Sequence, residues 1–179
     1  MSSTVYLLRH TALDIPAGVC YGQSEMPLAA SYNQELAQVR RVLSTTTMDI
    51  CFSSPLQRCR RLAEDLHPDV AIDDRLLELN FGDWEMVRWE DMDRTQAAFW
   101  GNHFVTQRCP GGESFADLHQ RVMGFWNELA ARPPAENILV VTHGGVIRSI
   151  LAHARRLPLE AAFAENIPYG AVTAVAMNS

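Results

Sequence analysis

The sequence predicts an α/β fold, and two observations lead to this class. Short apolar runs at residues 5–8 and 138–141 are bounded by polar residues or glycine, as is typical of buried strands in a covered parallel sheet. Such runs alternate along the chain with segments of helical periodicity. We find no internal repeat, and a chain of 179 residues suits one domain, residues 1–179, with a sizeable core.

The other elements continue this alternation. Helices are predicted over four segments, at about 31–43, 54–66, 114–131 and 144–154. A further, shorter helix is predicted after Pro158. Further strands are predicted at about 49–52, 70–72 and 171–177. Together these elements provide strands for one sheet and helices to cover it.

Two of the predicted helices carry capping signals. Ser54 followed by Pro55 predicts a helix with serine as its N-cap and proline as its first residue. Ser114 is expected to cap the long helix, and Pro133-Pro134 to end it.

The segment from about 80 to 112 differs from the rest of the chain. It has no strong period and holds three of the four tryptophans, Trp84, Trp89 and Trp100. A long excursion of this kind inside a compact domain is more often functional than a linker. We therefore expect it to form a lid over a site.

Composition excludes several classes of function. The net charge of -6 argues against general binding to nucleic acid or to anionic membranes. The sequence has no lysine, so all 15 basic side chains are arginine. This excludes a Walker-type phosphate loop, Schiff-base chemistry and a lysine general base. A phosphate must be held by arginine, imidazole or backbone N–H groups.

The cysteines and histidines show no metal-type or disulfide-type spacing. The four cysteines lack a Cys-x-x-Cys pair, and neither a leader pattern nor an apolar run of membrane-spanning length is present. We expect reduced, mostly buried thiols in a cytoplasmic protein. No metal and no cofactor is expected.

Polar residues follow two of the buried runs. Arg9 and His10 come directly after residues 5–8, and His143 follows residues 138–141 after a single threonine. A cation or an imidazole at the end of a buried strand would cost free energy in a core. The carboxyl ends of strands are also where ligands bind in open α/β sheets. The sequence therefore predicts an anion pocket, most simply for a phosphate.

Four residues are predicted to handle that phosphate. His10 is the expected nucleophile, because a neutral imidazole can attack phosphorus without a separate base and hold the phosphoryl group covalently. Arg9 and Arg58 are the expected clamps, since a guanidinium bridges two phosphoryl oxygens. His143, followed by two glycines, is expected to bind phosphate and to stabilise charge in the transition state.

Other histidines and arginines are expected on solvated faces. The arginines are Arg40, Arg41, Arg60, Arg61, Arg155 and Arg156, and the histidines are His67, His103, His119 and His153. Among them only His103, on the expected lid, is a weak candidate for the pocket.

An alkyl ester also needs a general acid, because an alkoxide is a poor leaving group. Glu78 is the candidate for this role. Asp83, Glu85 and Glu113 remain alternatives, since spacing alone does not separate them from Glu78.

With these residues in view, the chain resembles the histidine phosphatase superfamily, also called phosphoglycerate mutase-like. Five segments carry the resemblance, and they are residues 8–11, 53–58, 77–85, 110–114 and 141–148. Thr11 stands where the family's signature usually has glycine. The resemblance implies a three-layer α/β/α fold with a mostly parallel central sheet and a helical lid. It also implies Glu78 as the acid, by position.

One loop, residues 18–28, is similar to the α-ribazole phosphatase branch of this family, whose members usually have aspartate at the position of Glu25. The resemblance implies that Gln23 and Ser24 face the phosphate or its ester. It also implies α-ribazole 5′-phosphate, an intermediate of cobalamin biosynthesis, as substrate.

The resulting hypothesis is a metal-independent phosphomonoesterase acting on a small-molecule substrate through a phosphohistidine. One alternative is a phosphoglycerate mutase-type phosphoryl transferase, and another is a binding module that keeps the pocket without turnover. The absence of lysine, a natural partner for a substrate carboxylate, disfavours the mutase.

Overall fold

The computed structural model describes residues 3–132 and 137–177. Its five strands are β1 (Ser3–Arg9), β2 (Ile50–Ser53), β3 (Val70–Ile72), β4 (Asn137–Thr142) and β5 (Val172–Met177). Its five α-helices are α1 (Tyr32–Leu43), α2 (Gln57–Leu66), α3 (Arg94–His103), α4 (Phe115–Ala130) and α5 (Gly144–Ala154). Short 3-10 turns lie at Asp74–Leu76, Gly82–Trp84, Trp89–Asp91 and Leu159–Ala164.

The strands form one sheet in the order β3-β2-β4-β1-β5. The β2–β3, β2–β4 and β1–β4 pairs are parallel, and β5 joins the edge antiparallel to β1. The predicted mostly parallel sheet is therefore confirmed. In the β1–β4 register Arg9 lies opposite Thr142, so both strands end at the same edge and at the same level.

Two apolar layers cover the faces of this sheet. Alternate residues of β1 and β4, such as Val5 and Val140, pack on one face against α4 and α5. The residues between them, such as Leu8 and Val141, pack on the other face against α1 and α2. This period of two sends successive side chains to opposite faces, which confirms the expected three layers.

The start of α2 differs from the prediction. The helix begins at Gln57 after an N-cap residue, Leu56, in extended conformation, so Ser54 is not its N-cap and Pro55 is not its first residue. Instead, the carboxylate of Glu25 accepts a hydrogen bond from the backbone N–H of Gln57 at 2.9 Å. The predicted serine cap was wrong because the hydroxyl of Ser54 lies 2.8 Å from Nε2 of His143 and accepts from the N–H of Leu56, before the helix begins, at 3.5 Å.

The other predicted N-cap, Ser114, is confirmed. Ser114 caps α4 in a reciprocal capping box with Asp117, in which each side chain bonds the other's backbone N–H. The predicted stop at Pro133-Pro134 lies outside the described residues.

The segment 80–112 contains α3 and two of the 3-10 turns. Its side chains build a small apolar cluster apart from the two main layers, made of Trp84, Met92 and Cys109 together with Cys20. The rings of Trp84, Trp89 and Trp100 lie within 5.7 to 6.2 Å of each other, centroid to centroid. Within the described ranges, no helix combines the length and the apolar character needed to cross a membrane.

Candidate active site

The carboxyl ends of β1 and β4 bring the two predicted histidines together. Because Arg9 pairs with Thr142, the next residues on the two strands are His10 and His143. Their ring centroids lie 5.3 Å apart, with an edge-on geometry. Both side chains are buried, with 1% and 0% of their surface exposed. The predicted convergence at this edge of the sheet is therefore present in the structure.

His10 is held as a neutral imidazole in one tautomer. Its Nδ1–H donates to the carbonyl oxygen of Thr11 at 2.8 Å, since a carbonyl can only accept. This leaves the Nε2 lone pair unprotonated. The pKa of His10 is lowered from 6.5 to about 3, first by burial and then by the charges of Arg58 and Arg9, against the opposing effect of the bond to Thr11. A neutral imidazole with an available Nε2 is a nucleophile.

His143 is fixed from two sides at the N-terminus of α5. Its Nε2 lies 2.8 Å from Oγ of Ser54, and the thiol of Cys59 lies 3.5 Å from the same nitrogen. Burial, the charge of Arg58 and the other basic groups around it lower its pKa well below the ordinary value. His143 is thus neutral, and its ring lies beside that of His10.

Arg58 lies in the first turn of α2, and none of its surface is exposed. Its Nη1 and Nη2 donate to the backbone carbonyls of Ser24 and Gly22, at 2.7 and 2.5 Å. Its Nε has no partner among the described residues. Among the described residues Arg58 forms no ion pair, and a buried guanidinium without a carboxylate partner is costly unless an anion binds.

Arg9 is the last residue of β1 and directly precedes His10. Its Nη1 donates to the carbonyl of Ile167 at 2.5 Å, and the ring of Tyr169 covers its guanidinium at 4.2 Å. Its Nε, like that of Arg58, is buried and has no partner in the described part of the chain. Two guanidinium groups with unsatisfied Nε–H donors therefore flank the two imidazoles.

The carboxylate of Glu78 reaches the same pocket. It accepts hydrogen bonds from the backbone N–H groups of Leu79 and Gly145, at 2.9 and 3.1 Å. A Cβ on Gly145 would collide with Oε1 of Glu78, so only glycine allows this approach. The half-buried Glu78 thus lies beside the first turn of α5, next to His143.

The alternative acids have other partners. Glu113 forms an ion pair with Arg121 at 2.8 Å, and Asp83 is exposed. Glu85 accepts from the backbone N–H groups of Gln23 and Phe81, at 2.9 and 3.1 Å. Of the four candidates, Glu78 is the one that lines the same cavity as Arg9.

The side chains of Gln23 and Ser24 form hydrogen bonds within the protein. The amide Nε2 of Gln23 donates to the carbonyl oxygen of Glu78 at 2.9 Å. The hydroxyl of Ser24 donates to the carboxylate of Glu85 at 2.5 Å. These contacts tie the loop to the Glu78 segment, so direct phosphate binding by the two side chains remains a prediction.

Sequence reasoning missed three side chains of this pocket. The hydroxyls of Tyr21 and Tyr169 lie 3.0 Å apart, and the ring of Tyr169 lies 5.4 Å from the ring of His10, centroid to centroid. Arg148 reaches back to Gly144, one helical turn earlier, and burial and the charge of Arg9 lower its pKa. The i, i+4 spacing could have revealed Arg148. No sequence signal marks Tyr169.

A cavity of about 340 Å³ opens beside these groups. Its polar wall is Arg9, Glu78 and Arg148, and its apolar wall includes Trp89, Phe115 and Phe163. Trp89 comes from the segment 80–112, so that segment forms part of the cavity. A volume of this size suits a small organic molecule.

The remaining candidates lie outside the pocket. His103 is exposed on α3 and bonds the carbonyl of Phe99, and Arg60 pairs with Glu64 on the solvated face of α2. A larger cavity of about 750 Å³, lined by His119, His153 and Trp126, contains none of the predicted site residues. In residues 3–132 and 137–177, no three His, Cys, Asp or Glu side chains are grouped as a metal site.

Comparison with known proteins agrees with this geometry. The profile of the histidine phosphatase superfamily (branch 1) matches residues 5–179. The chain is 30% identical to the adenosylcobalamin/alpha-ribazole phosphatase of Escherichia coli (strain K12), over 97% of this chain and 90% of that protein.

Two solved structures are also similar. The alpha-ribazole phosphatase from Shigella flexneri superimposes with a TM-score of 0.87 at 26% identity, covering 97% of this chain and 93% of that one. A mycobacterial glucosyl-3-phosphoglycerate phosphatase superimposes with a TM-score of 0.86 at 25% identity, covering 98% and 91%. The chain therefore belongs to the histidine phosphatase superfamily (branch 1), and the enzyme is a phosphatase.

Proposed function

We propose that this phosphatase hydrolyses small phosphomonoesters through a phosphohistidine formed on His10. The observation that carries the proposal is the pairing of a neutral imidazole with two guanidinium groups in one site. The Nε2 of His10 is available, as a nucleophile requires. The buried Nε–H donors of Arg9 and Arg58 lack partners in the described chain, and such donors suit a tetrahedral dianion.

In the first step the Nε2 lone pair of His10 forms a bond to phosphorus while the P–O ester bond breaks. The bonding electrons leave with the ester oxygen, and Glu78 in its acid form gives that oxygen a proton, so an alcohol departs. Thr11 keeps the Nδ1 proton of His10 throughout, through its carbonyl. The imidazole therefore gains positive charge as it is phosphorylated, and the negative charge of the phosphoryl group balances it.

In the second step water attacks phosphorus. Glu78, now a carboxylate, takes a proton from this water, and the N–P bond breaks to return neutral His10 and inorganic phosphate. Arg9, Arg58 and His143 hold the three equatorial oxygens in both steps, since charge on these oxygens persists through a loose transition state. Glu78 thus acts as the general acid in the first step and as the general base in the second.

Gln23 and Ser24 take positioning roles in this account. Gln23 holds the carbonyl of Glu78, and Ser24 offers its own carbonyl to Arg58 and its hydroxyl to Glu85. The loop 18–28 thereby links the acid to the second clamp. The alternative, implied by the resemblance, is that the two side chains bind the phosphate directly. A structure with bound phosphate would distinguish direct binding from positioning.

For the substrate we propose α-ribazole 5′-phosphate, in cobalamin biosynthesis. The similar proteins of Escherichia coli and Shigella flexneri are named for this class of phosphatase. The aromatic wall of the cavity, with Trp89, Phe115 and Phe163, offers faces on which a flat base can stack. Segment 80–112 supplies Trp89, which supports its role as a lid within a single domain.

A substrate panel tests this assignment. α-Ribazole 5′-phosphate, phosphoserine, 3-phosphoglycerate and p-nitrophenyl phosphate are compared by kcat/KM. We expect the first to exceed the others by at least about tenfold, because contacts in a fitted cavity discriminate by this order. Equal values for all four would reject the substrate while leaving the reaction class intact.

Product analysis separates hydrolysis from the mutase alternative. A phosphatase releases one inorganic phosphate for each ester consumed, whereas a mutase conserves ester phosphate. We expect stoichiometric release with 3-phosphoglycerate, however slow, and no 2-phosphoglycerate. A binding module without turnover would release no phosphate from any member of the panel.

A further inference from the structure

Several backbone carbonyls of the segment that carries Glu78 are bonded by one side chain of another element. Arg121 on α4 donates from Nη1 to the carbonyl oxygens of Arg75 and Leu77, at 2.9 and 2.7 Å. Its Nη2 donates to the carbonyl oxygen of Glu78 itself at 2.9 Å. One guanidinium thus binds three backbone carbonyls, and the last of them belongs to the proposed acid, Glu78.

Glu113 completes this arrangement. Its carboxylate accepts from Nε and Nη2 of Arg121, at 2.8 and 2.9 Å. The same carboxylate accepts from the backbone N–H of Asn80 at 3.0 Å, on the other side of Glu78. All five N–H donors of Arg121 are therefore used, and the chain is fixed both before and after Glu78.

The charge of Arg121 is balanced away from the acid. About a fifth of each side chain of the Arg121–Glu113 pair is exposed, 20% and 22%. The side-chain oxygens of Glu78 bond instead to the N–H groups of Leu79 and Gly145. Arg121 therefore holds the backbone of Glu78 and leaves its carboxyl group available to exchange a proton.

From these contacts we propose that Arg121, together with Glu113, is a positioning residue that sets the reach of Glu78 toward the ester oxygen. This inference rests on the proposed function, in which Glu78 is the general acid. It also gives a role to Glu113, which the sequence left as an alternative acid. A misplacement of about 1 Å can cost on the order of 10²-fold in rate.

The test compares two substrates that differ in their need for an acid. Arg121→Gln should lower kcat for an alkyl phosphate by roughly 10- to 100-fold and kcat for p-nitrophenyl phosphate much less, because the aryl oxide leaves without protonation. Arg121→Lys should not restore the alkyl rate, since an ammonium group cannot make the same set of bonds. Glu113→Gln should show the same selective loss, and it serves if Arg121→Gln fails to fold.

A double-mutant cycle distinguishes positioning from a merely structural role. In a Glu78→Gln background, Arg121→Gln should change the alkyl rate by less than about threefold, since the residue acts through an acid already removed. Arg75→Gln is the matched control: Arg75 lies on the same segment as Glu78, and its side chain pairs with Asp73 and with Glu128 of α4. It should leave the ratio of alkyl to aryl rates unchanged.

Two results would overturn the inference. One is an equal loss of alkyl and aryl rates in Arg121→Gln and Glu113→Gln. The other is a full multiplicative loss in the double mutant. Failure of the proposed function looks different, because Glu78→Gln alone would then reduce both substrates equally.

Discussion

The carboxylate of Glu78 accepts a hydrogen bond at 3.1 Å from the backbone N–H of Gly145, in the first turn of the helix that follows His143. A helix N-terminus favours a negative charge. This contact therefore suits Glu78 when it is a carboxylate, in the second half of the proposed reaction. It also joins the acid to the element that carries the second histidine.

Gly145→Ala tests this contact. The new Cβ would collide with Oε1 of Glu78, so the carboxyl group must move. We expect kcat for an alkyl phosphate to fall on the order of 10²-fold, as for a misplaced catalytic group. Gly101→Ala is the control, because a Cβ there meets no atom within 4 Å. An unchanged rate in Gly145→Ala would show that the position of Glu78 is unimportant.

Glu78→Gln tests the acid directly. The amide cannot protonate the ester oxygen, so we expect kcat for an alkyl phosphate to fall by about 10²–10⁴-fold. An activated aryl phosphate should lose much less. Steady-state kinetics on both substrates give the comparison, and losses of equal size would remove Glu78 from this role.

The buried histidines predict a dependence of stability on pH. Below about pH 6.5 the unfolded chain protonates His10 and His143, whereas the folded protein does not, since the pKa of His10 is about 3 and that of His143 is also lowered. The unfolded state then binds more protons, so the free energy of unfolding falls as the pH decreases from 6.5. Each histidine contributes at most ~1.4 kcal/mol per pH unit.

Urea denaturation at pH 7 and pH 5 measures this effect. His10→Asn should lose less stability than the wild type between the two pH values, because one of the two neutral imidazoles is gone. His103→Gln, a change on the exposed face of α3, is the control. The same loss in the wild type and in His10→Asn would argue that His10 is protonated in the folded protein.

Chelation tests the metal-independent mechanism. Phosphate is held by guanidinium and imidazole groups in the proposed reaction, so activity should persist after treatment with EDTA. The release of inorganic phosphate is measured before and after dialysis against the chelator. A loss of activity that a divalent cation restores would contradict the proposal.

Much of the site could be predicted from the sequence, because it depends on the register of parallel strands. Once residues 5–8 and 138–141 are recognised as neighbouring strands, Arg9, His10 and His143 must lie at one edge of the sheet. Arg58 follows for a similar reason, from the helix after β2. These residues depend on local patterns that a single sequence contains.

Other features depend on contacts between distant loops. Ser54 fits the pattern of a helix cap, but its hydroxyl is hydrogen-bonded to His143. Glu25, from another loop, accepts instead from the first N–H of the helix. Tyr169 precedes the antiparallel edge strand, and its place over Arg9 depends on how the chain returns to the sheet. The periodicity of a sequence does not predict such contacts between distant loops.

Trapping the covalent intermediate tests the central claim most directly. The enzyme is mixed with a radiolabelled phosphomonoester, quenched at high pH and digested, and the labelled peptide is sequenced. We predict an acid-labile, base-stable label on His10, absent in His10→Ala, which should remain folded. Turnover by His10→Ala, or a label on any other residue, would contradict the account.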